Sequence, residues 1–118
     1  MIKILSGSDA EGVQTDQWAV MSDGVTEDQV AMELLQAAVE VIDLVIRKRR
    51  DYGTSNIAMT GLRGIATRSL DKVARLVTLT GKTNDDWEFE NLDDTLRDLC
   101  GYSLIGLNTL GGGSGWTE

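Results

Sequence analysis

The feature that most constrains this chain is the spacing of its apolar residues between Val30 and Val45. Val30, Leu34, Ala37, Val41, Leu44 and Val45 recur three and four positions apart. Leu35, Ala38 and Ile42 widen the stripe. A 3.6-residue period over this length predicts an amphipathic helix with a broad apolar face, which is stable only when something covers it. Thr26-Glu27-Asp28-Gln29 has the form of a capping box, so the helix is expected to begin near Thr26. Arg47 to Arg50 suit the negative end of the helix dipole, and Gly53 breaks the pattern, so the end is expected near Arg50.

Two further helices follow from the same reasoning. Asp51–Gly64 reads as a loop, because it is short, polar and rich in glycine, serine and threonine. A second helix is expected from about Ile65 to Thr80, with Gly81 as its C-terminal cap. Residues 82–90 form a polar connection. Asn91 is placed to cap a third helix reaching about Leu110, with Asp93 and Asp94 in its first turn. Ahead of the helices, Met1–Leu5 and Gln17–Met21 can form two short strands around the loop 6–16. The expected fold is therefore all-α: a bundle of three main helices with a short N-terminal extended or hairpin segment. The organisation is 1–25 as arm or hairpin, 26–110 as the helical domain and 111–118 as a flexible glycine-rich tail, with Trp116 either disordered or docked. Three helices of this length bury only part of their apolar faces. Leu104, Ile105, Leu107 and Leu110 extend the third face, so a homo-oligomer, at least a dimer, is expected.

Composition removes several functional classes. The 118 residues contain no histidine, which excludes His-based triads and His-metal sites. The single cysteine, Cys100, excludes an intrachain disulfide and sits in an apolar run that suggests a buried, inert thiol. A net charge of -8 does not suit a groove binder of duplex nucleic acid. No segment is apolar enough to span a membrane, and no signal peptide is visible, so the expected location is cytoplasmic. The bases are concentrated, however. Four of the 11 are consecutive, and a local basic cluster on an acidic protein can hold a small anion.

The polar residues are ordered as well. Arg68, Asp71, Lys72 and Arg75 share one face of the second helix. Asp94 and Asp98 lie one turn apart on the third, with Tyr102 a turn further on. Glu33, Glu40, Asp43, Arg47 and Asp51 trace a stripe on the first. Taken singly, each stripe suits a solvated helix face. Together they suggest a mixed-charge pocket for a phosphorylated ligand. Lys72, Arg68 and Arg75 would neutralise phosphate oxygens, and Tyr52 or Tyr102 would stack or donate a hydrogen bond. Asp94 and Asp98 are candidate ligands for Mg²⁺, the hard oxygen-bound cation such a site would use. The amides of the segment Asp51–Asn56 could also cradle an anion.

The order Lys48-x-x-Asp51-Tyr52-Gly53-x-x-Asn56, then Gly61-x-x-Gly64, then Arg68-x-x-Asp71-Lys72-x-x-Arg75-Leu76, then Asp94-x-x-x-Asp98-Leu99-x-Gly101-Tyr102 resembles the nucleotide modification associated domain 1 family. These are small helical proteins, many of them phage-encoded. The resemblance covers about residues 30 to 110. It implies a role in nucleotide or DNA-modification metabolism and a ligand site drawn from Lys48, Asp51, Tyr52, Asn56, Arg68, Asp71, Lys72, Arg75 and Tyr102. The layout is more distantly similar to the all-α nucleoside triphosphate pyrophosphohydrolases, which hold Mg²⁺ with paired carboxylates. Here Asp71 stands with Lys72 and Arg75 where a first acidic pair is expected, which weakens hydrolysis and keeps nucleotide binding. Three readings stay open. The chain binds a nucleotide or nucleotide-derived signal, in a phage setting as a sponge against host immune signalling. Alternatively it is a Mg²⁺-dependent nucleotide pyrophosphohydrolase, or a structural or protein-binding bundle.

Overall fold

The computed structural model describes residues 3–8, 14–21, 28–82 and 89–116. They form two strands, β1 (Lys3–Ser8) and β2 (Gln14–Met21), followed by three helices, α1 (Gln29–Tyr52), α2 (Ser55–Thr80) and α3 (Phe89–Leu110). The chain divides into two compact units, residues 1–39 and 40–118. No helix among the described residues is long and apolar enough to cross a membrane.

In the first unit β1 and β2 pair antiparallel, with Lys3 opposite Met21 and Ser6 opposite Trp18, and the register shifts between Ser6 and Ser8. Both strands run longer than their sequence pattern suggested. Met1 and the connecting residues 9–13 lie outside the described residues, as do Thr26 and Glu27 of the expected capping box. Asp28 caps the start of α1 at Gln29. Its Oδ1 accepts the Ala31 backbone N–H at 3.1 Å, and its carbonyl accepts from Met32.

The second unit holds most of α1 with α2 and α3. α1 runs two residues beyond the expected end. It stops at Gly53, where φ is +73° and the N–H closes onto the Arg49 carbonyl. The expected loop 51–64 is mostly helix: only Gly53 and Thr54 separate α1 from α2. This corrects the expected start at Ile65. Local composition favoured a loop, but Ile57 is buried in the core with Ile65 and Ile105, and that packing outweighs weak helix propensity.

The glycines of that segment act at one corner. Gly61 adopts φ 59° and ψ -151°, a conformation closed to other residues, and breaks α2 into two helical pieces. At Gly64 a Cβ would overlap the Thr60 side chain, so the second piece can approach the first only without one. The Arg68 guanidinium reaches back across the corner, donating to the Asn56 carbonyl at 3.1 Å and more weakly to Thr60 Oγ1 at 3.5 Å.

Two further expectations are corrected, and of the two alternatives for Trp116 the docked one is found. Asn91 lies inside α3 rather than capping it, because the helix already begins at Phe89. Cys100 is exposed, not buried: α3 turns it outward, away from the phase of Ile105. The tail is docked as far as Trp116. The Gly113 N–H bonds back to the Asn108 carbonyl, and Trp116 packs on the Ile57–Ile65–Ile105 cluster beside Val45 and Tyr102.

Candidate functional site

The helical unit carries a half-open recess of about 270 Å³, just below the usual size of small-molecule sites. Leu44, Val45, Ile57 and Ile105 supply its apolar walls. α1 brings Lys48, Arg49 and Tyr52 to it, and α3 brings Arg97, Asp98 and Tyr102. The spacing explains the grouping. Positions 45, 48, 49 and 52 fall on one face of a helix, as do 98, 101, 102 and 105. Asn56 enters from the first piece of α2, and Trp116 from the docked tail. Both tyrosines and one of the three tryptophans of the chain therefore meet at one cavity.

Asp98 is the electrostatic centre. Its Oδ1 lies 2.9 Å from Lys48 Nζ and its Oδ2 lies 3.1 Å from Lys72 Nζ, so one carboxylate ties α1 and α2 to α3. Burial by itself would push the Asp98 carboxyl up. Hydrogen bonds from Lys48 and Lys72, reinforced by their charges, override that and hold it below its ordinary value. The same bond to Asp98 raises Lys48 above the ordinary lysine value, against desolvation. A second cross-tie lies beside it. Arg97 reaches Asp93 at 2.8 Å and Glu40 at 3.1 Å, and its hydrogen bonds to Asp93 and then Glu40 raise its pKa.

Lys48, Arg49 and Arg97 line the cavity with one carboxylate, Asp98. Lys48 is paired with Asp98, and Arg97 with Asp93 and Glu40, so Arg49 is the lining cation that bonds to a carbonyl rather than to a carboxylate. Arg49 lies at the tail. Its Nε donates to the Gly115 carbonyl at 3.0 Å, and its guanidinium stands 5.5 Å from the centre of the Trp116 ring, within cation–π range.

Of the residues singled out from the sequence, Lys48, Tyr52, Asn56, Asp98 and Tyr102 line this cavity. Lys72 lies behind it as the second partner of Asp98. Arg68 staples the α2 corner, and Arg75 extends toward Asn91 Oδ1 at 3.4 Å. Asp51, Asp71 and Asp94 are exposed and do not line the cavity. The proposed anion cradle at 51–56 is divided between a helix end and a helix start, and contributes Tyr52, Gly53 and Asn56 to the wall. The sequence reading missed Arg49, Arg97 and Trp116 as lining residues. Arg49 was visible as part of the basic run. Trp116 lies outside the motif order, and only the fold of the tail brings it in.

The donor set does not suit Mg²⁺. Both Asp98 oxygens are engaged by lysines, and a cation there would face two ammonium groups. Asp43 pairs with Arg47, and Glu40 with Arg97. Among the described residues no group of three or more carboxylate, histidine or cysteine side chains is placed to hold a metal.

Compared with protein-family models, curated proteins and solved structures, the chain matches none. The resemblance drawn from its motifs rests on those residues alone.

Proposed function

We propose that this protein binds a nucleotide, or a nucleotide-derived signalling molecule, in the cavity between α1, α3, the start of α2 and the docked tail. One observation carries the reading: a cavity walled by Tyr52, Tyr102 and Trp116 and supplied with Lys48, Arg49 and Arg97, on a chain whose net charge is -8. A base or similar flat ring would stack against the aromatic walls, and the phosphate would sit by the cations. Lys48 and Arg97 are held in place by Asp98, Asp93 and Glu40, and Arg49 by the Gly115 carbonyl, so the bases are pre-positioned and a phosphate would compete with or add to these contacts. The motif order of the nucleotide modification associated domain 1 family points the same way. Binding without turnover is favoured over Mg²⁺-dependent hydrolysis, because Asp98 serves as a counter-ion to Lys48 and Lys72. In a phage such a protein would serve nucleotide metabolism or sequester a host signal.

The test is a thermal-shift panel of mononucleotides, dinucleotides and cyclic dinucleotides, each with and without Mg²⁺, with the ligand recovered and weighed by mass spectrometry. The expected result is stabilisation by at least one nucleotide, recovered intact, and loss of the shift in Lys48→Ala. Cleavage that stops when Mg²⁺ is chelated would replace this reading with hydrolysis. A flat panel would remove both.

A further inference from the structure

The outward sides of α2 and α3 each carry an exposed apolar stripe, edged by Arg63 on α2 and by Asp93 at the start of the seam on α3. On α3, Leu96, Cys100, Ser103 and Leu107 fall at alternating spacings of four, three and four, the period of a coiled-coil seam, and all four are exposed. Leu96 is 53% and Leu107 67% exposed. On α2, Leu62, Leu70, Val73 and Val77 form a second exposed stripe with Ala66 between the first two. The two stripes flank one helix junction. A Cβ built on Gly106 would stand 3.9 Å from side-chain atoms of both Leu62 and Ile65, and Arg75 bonds to Asn91 further along the antiparallel pair.

We infer that this face pairs with the same face of a second copy of the chain, as an isologous dimer in which α2 and α3 of the two protomers form a four-helix layer. The pattern is its own complement. Leu96 with Leu107, and Cys100 with Ser103, share one midpoint between Gly101 and Tyr102. An antiparallel two-fold crossing therefore sets each leucine against the other and the two small side chains together at the centre, where the helices come closest. The α2 stripe repeats the arrangement: Leu62 with Val77, and Ala66 with Val73, share a midpoint between Ser69 and Leu70. The surface is sufficient. The exposed leucines and valines of the two stripes, with Leu110, offer roughly 100 Å² apiece. Together they approach the ~800 Å² that each partner contributes to a standard stable interface. It is also more than a monomer ordinarily leaves open in one patch. Charge stands only at the edges of the two stripes: Arg63 beside Leu62, Ala66 and Leu70 on α2, and Asp93, paired with Arg97, at the start of the α3 seam. On α1 the charges are more numerous and stand within the apolar face, with Glu40, Asp43 and Arg47 among Val39, Ile42 and Ile46.

The experiment is the mass of the full chain in solution by light scattering at micromolar concentration, alongside Leu107→Arg and Val73→Arg. A bifunctional maleimide reports on proximity at Cys100, the chain's single thiol. Because Leu107 and Val73 are exposed, helical circular dichroism should be retained in both variants. The expected result is a dimer that falls to half its mass in each variant, and a covalent dimer through Cys100 in the unaltered chain that disappears in Leu107→Arg. A monomeric unaltered chain overturns the inference. So does a dimer that persists in both variants and is dissociated by Ile46→Arg on α1. Neither outcome depends on a nucleotide, so this inference and the binding reading fail separately.

Discussion

The inner and outer faces of α3 each depart in part from the usual distribution of polar and apolar groups. Inward, Arg97, Asp98 and Tyr102 meet Glu40, Lys48 and Lys72 from neighbouring helices in partly buried ion pairs and a recess. Outward, Leu96, Leu107 and Leu110 are exposed, and so is the thiol of Cys100. Elementary burial energetics would place them the other way round. The lesson is that the two departures have different causes. Charge inside a helical unit persists where it can hold something or fix an arrangement, since a well-packed apolar substitute is commonly as stable. Apolar surface outside persists where another surface covers it.

The largest difference between the two faces should appear on truncation. Ile105→Ala, inside the core cluster, is expected to cost about 2–4 kcal/mol in chemical denaturation. Leu107→Ala, two residues away, should cost the isolated protomer well under about 1 kcal/mol when denatured at high dilution, because little of that side chain is buried. Equal costs at high dilution would remove the distinction between the faces. Next in size is the corner that gives the inner face its third wall. Gly64→Ala must displace the Thr60 side chain, and should lower stability by about 1–3 kcal/mol. In a Thr60→Gly background, which removes the overlapping Oγ1 and Cβ, Gly64→Ala should cost less, and an unchanged melting temperature in the single variant would show that the corner is not tight.

The smallest effect sharpens the electrostatics. Asp98→Ala leaves Lys48 and Lys72 facing each other half in water, with an expected loss of about 1–2 kcal/mol near neutral pH once solvent screening is allowed for. Asp98 has a lower pKa folded than its ordinary value of 3.8, so its contribution is complete above that value and is lost as pH falls through the lower, folded one. The difference in stability between the unaltered chain and Asp98→Asn should therefore shrink below about pH 4. A difference that stays constant down to pH 2 would mean the carboxylate is not held by the lysines. Lys48 acts in the opposite sense: its pKa is raised, so its share persists below the ordinary value of 10.5 and is lost as pH rises through the folded one.

Much of the architecture was legible in the residue order. The 3–4 spacing from Val30 to Val45 fixed α1, and the same period with Gly81 fixed the run of α2 to Thr80. Asp94, Asp98 and Tyr102, each about a turn apart, marked the polar side of α3. These features are local, since a helix's period and its breakers act within a few residues of one another. Ile105, by contrast, grouped in the sequence with Leu107 and Leu110 as surface for a second subunit, is buried in the protomer's own core. Residues 51–64 were misread for the complementary reason. Gly61 and Gly64 look like loop residues in isolation, whereas in the fold they form a sharp corner between two helical pieces held by Ile57 and Arg68.

The sequence by itself determined the three helices found among the described residues and most of their bounds, the absence of histidine and of an intrachain disulfide, and the presence of an ordered polar stripe on each helix. Only the tertiary structure decided which of those charges meet. Asp98 is 50 residues from Lys48 and its partners come from two other helices, so no spacing rule could choose it over Asp71 or Asp94. The same holds for Trp116, which reaches the cavity because the glycine-rich tail folds back onto Arg49. A side chain's period along its own helix fixes the direction in which it points. What stands in that direction is fixed by the packing of elements distant in sequence.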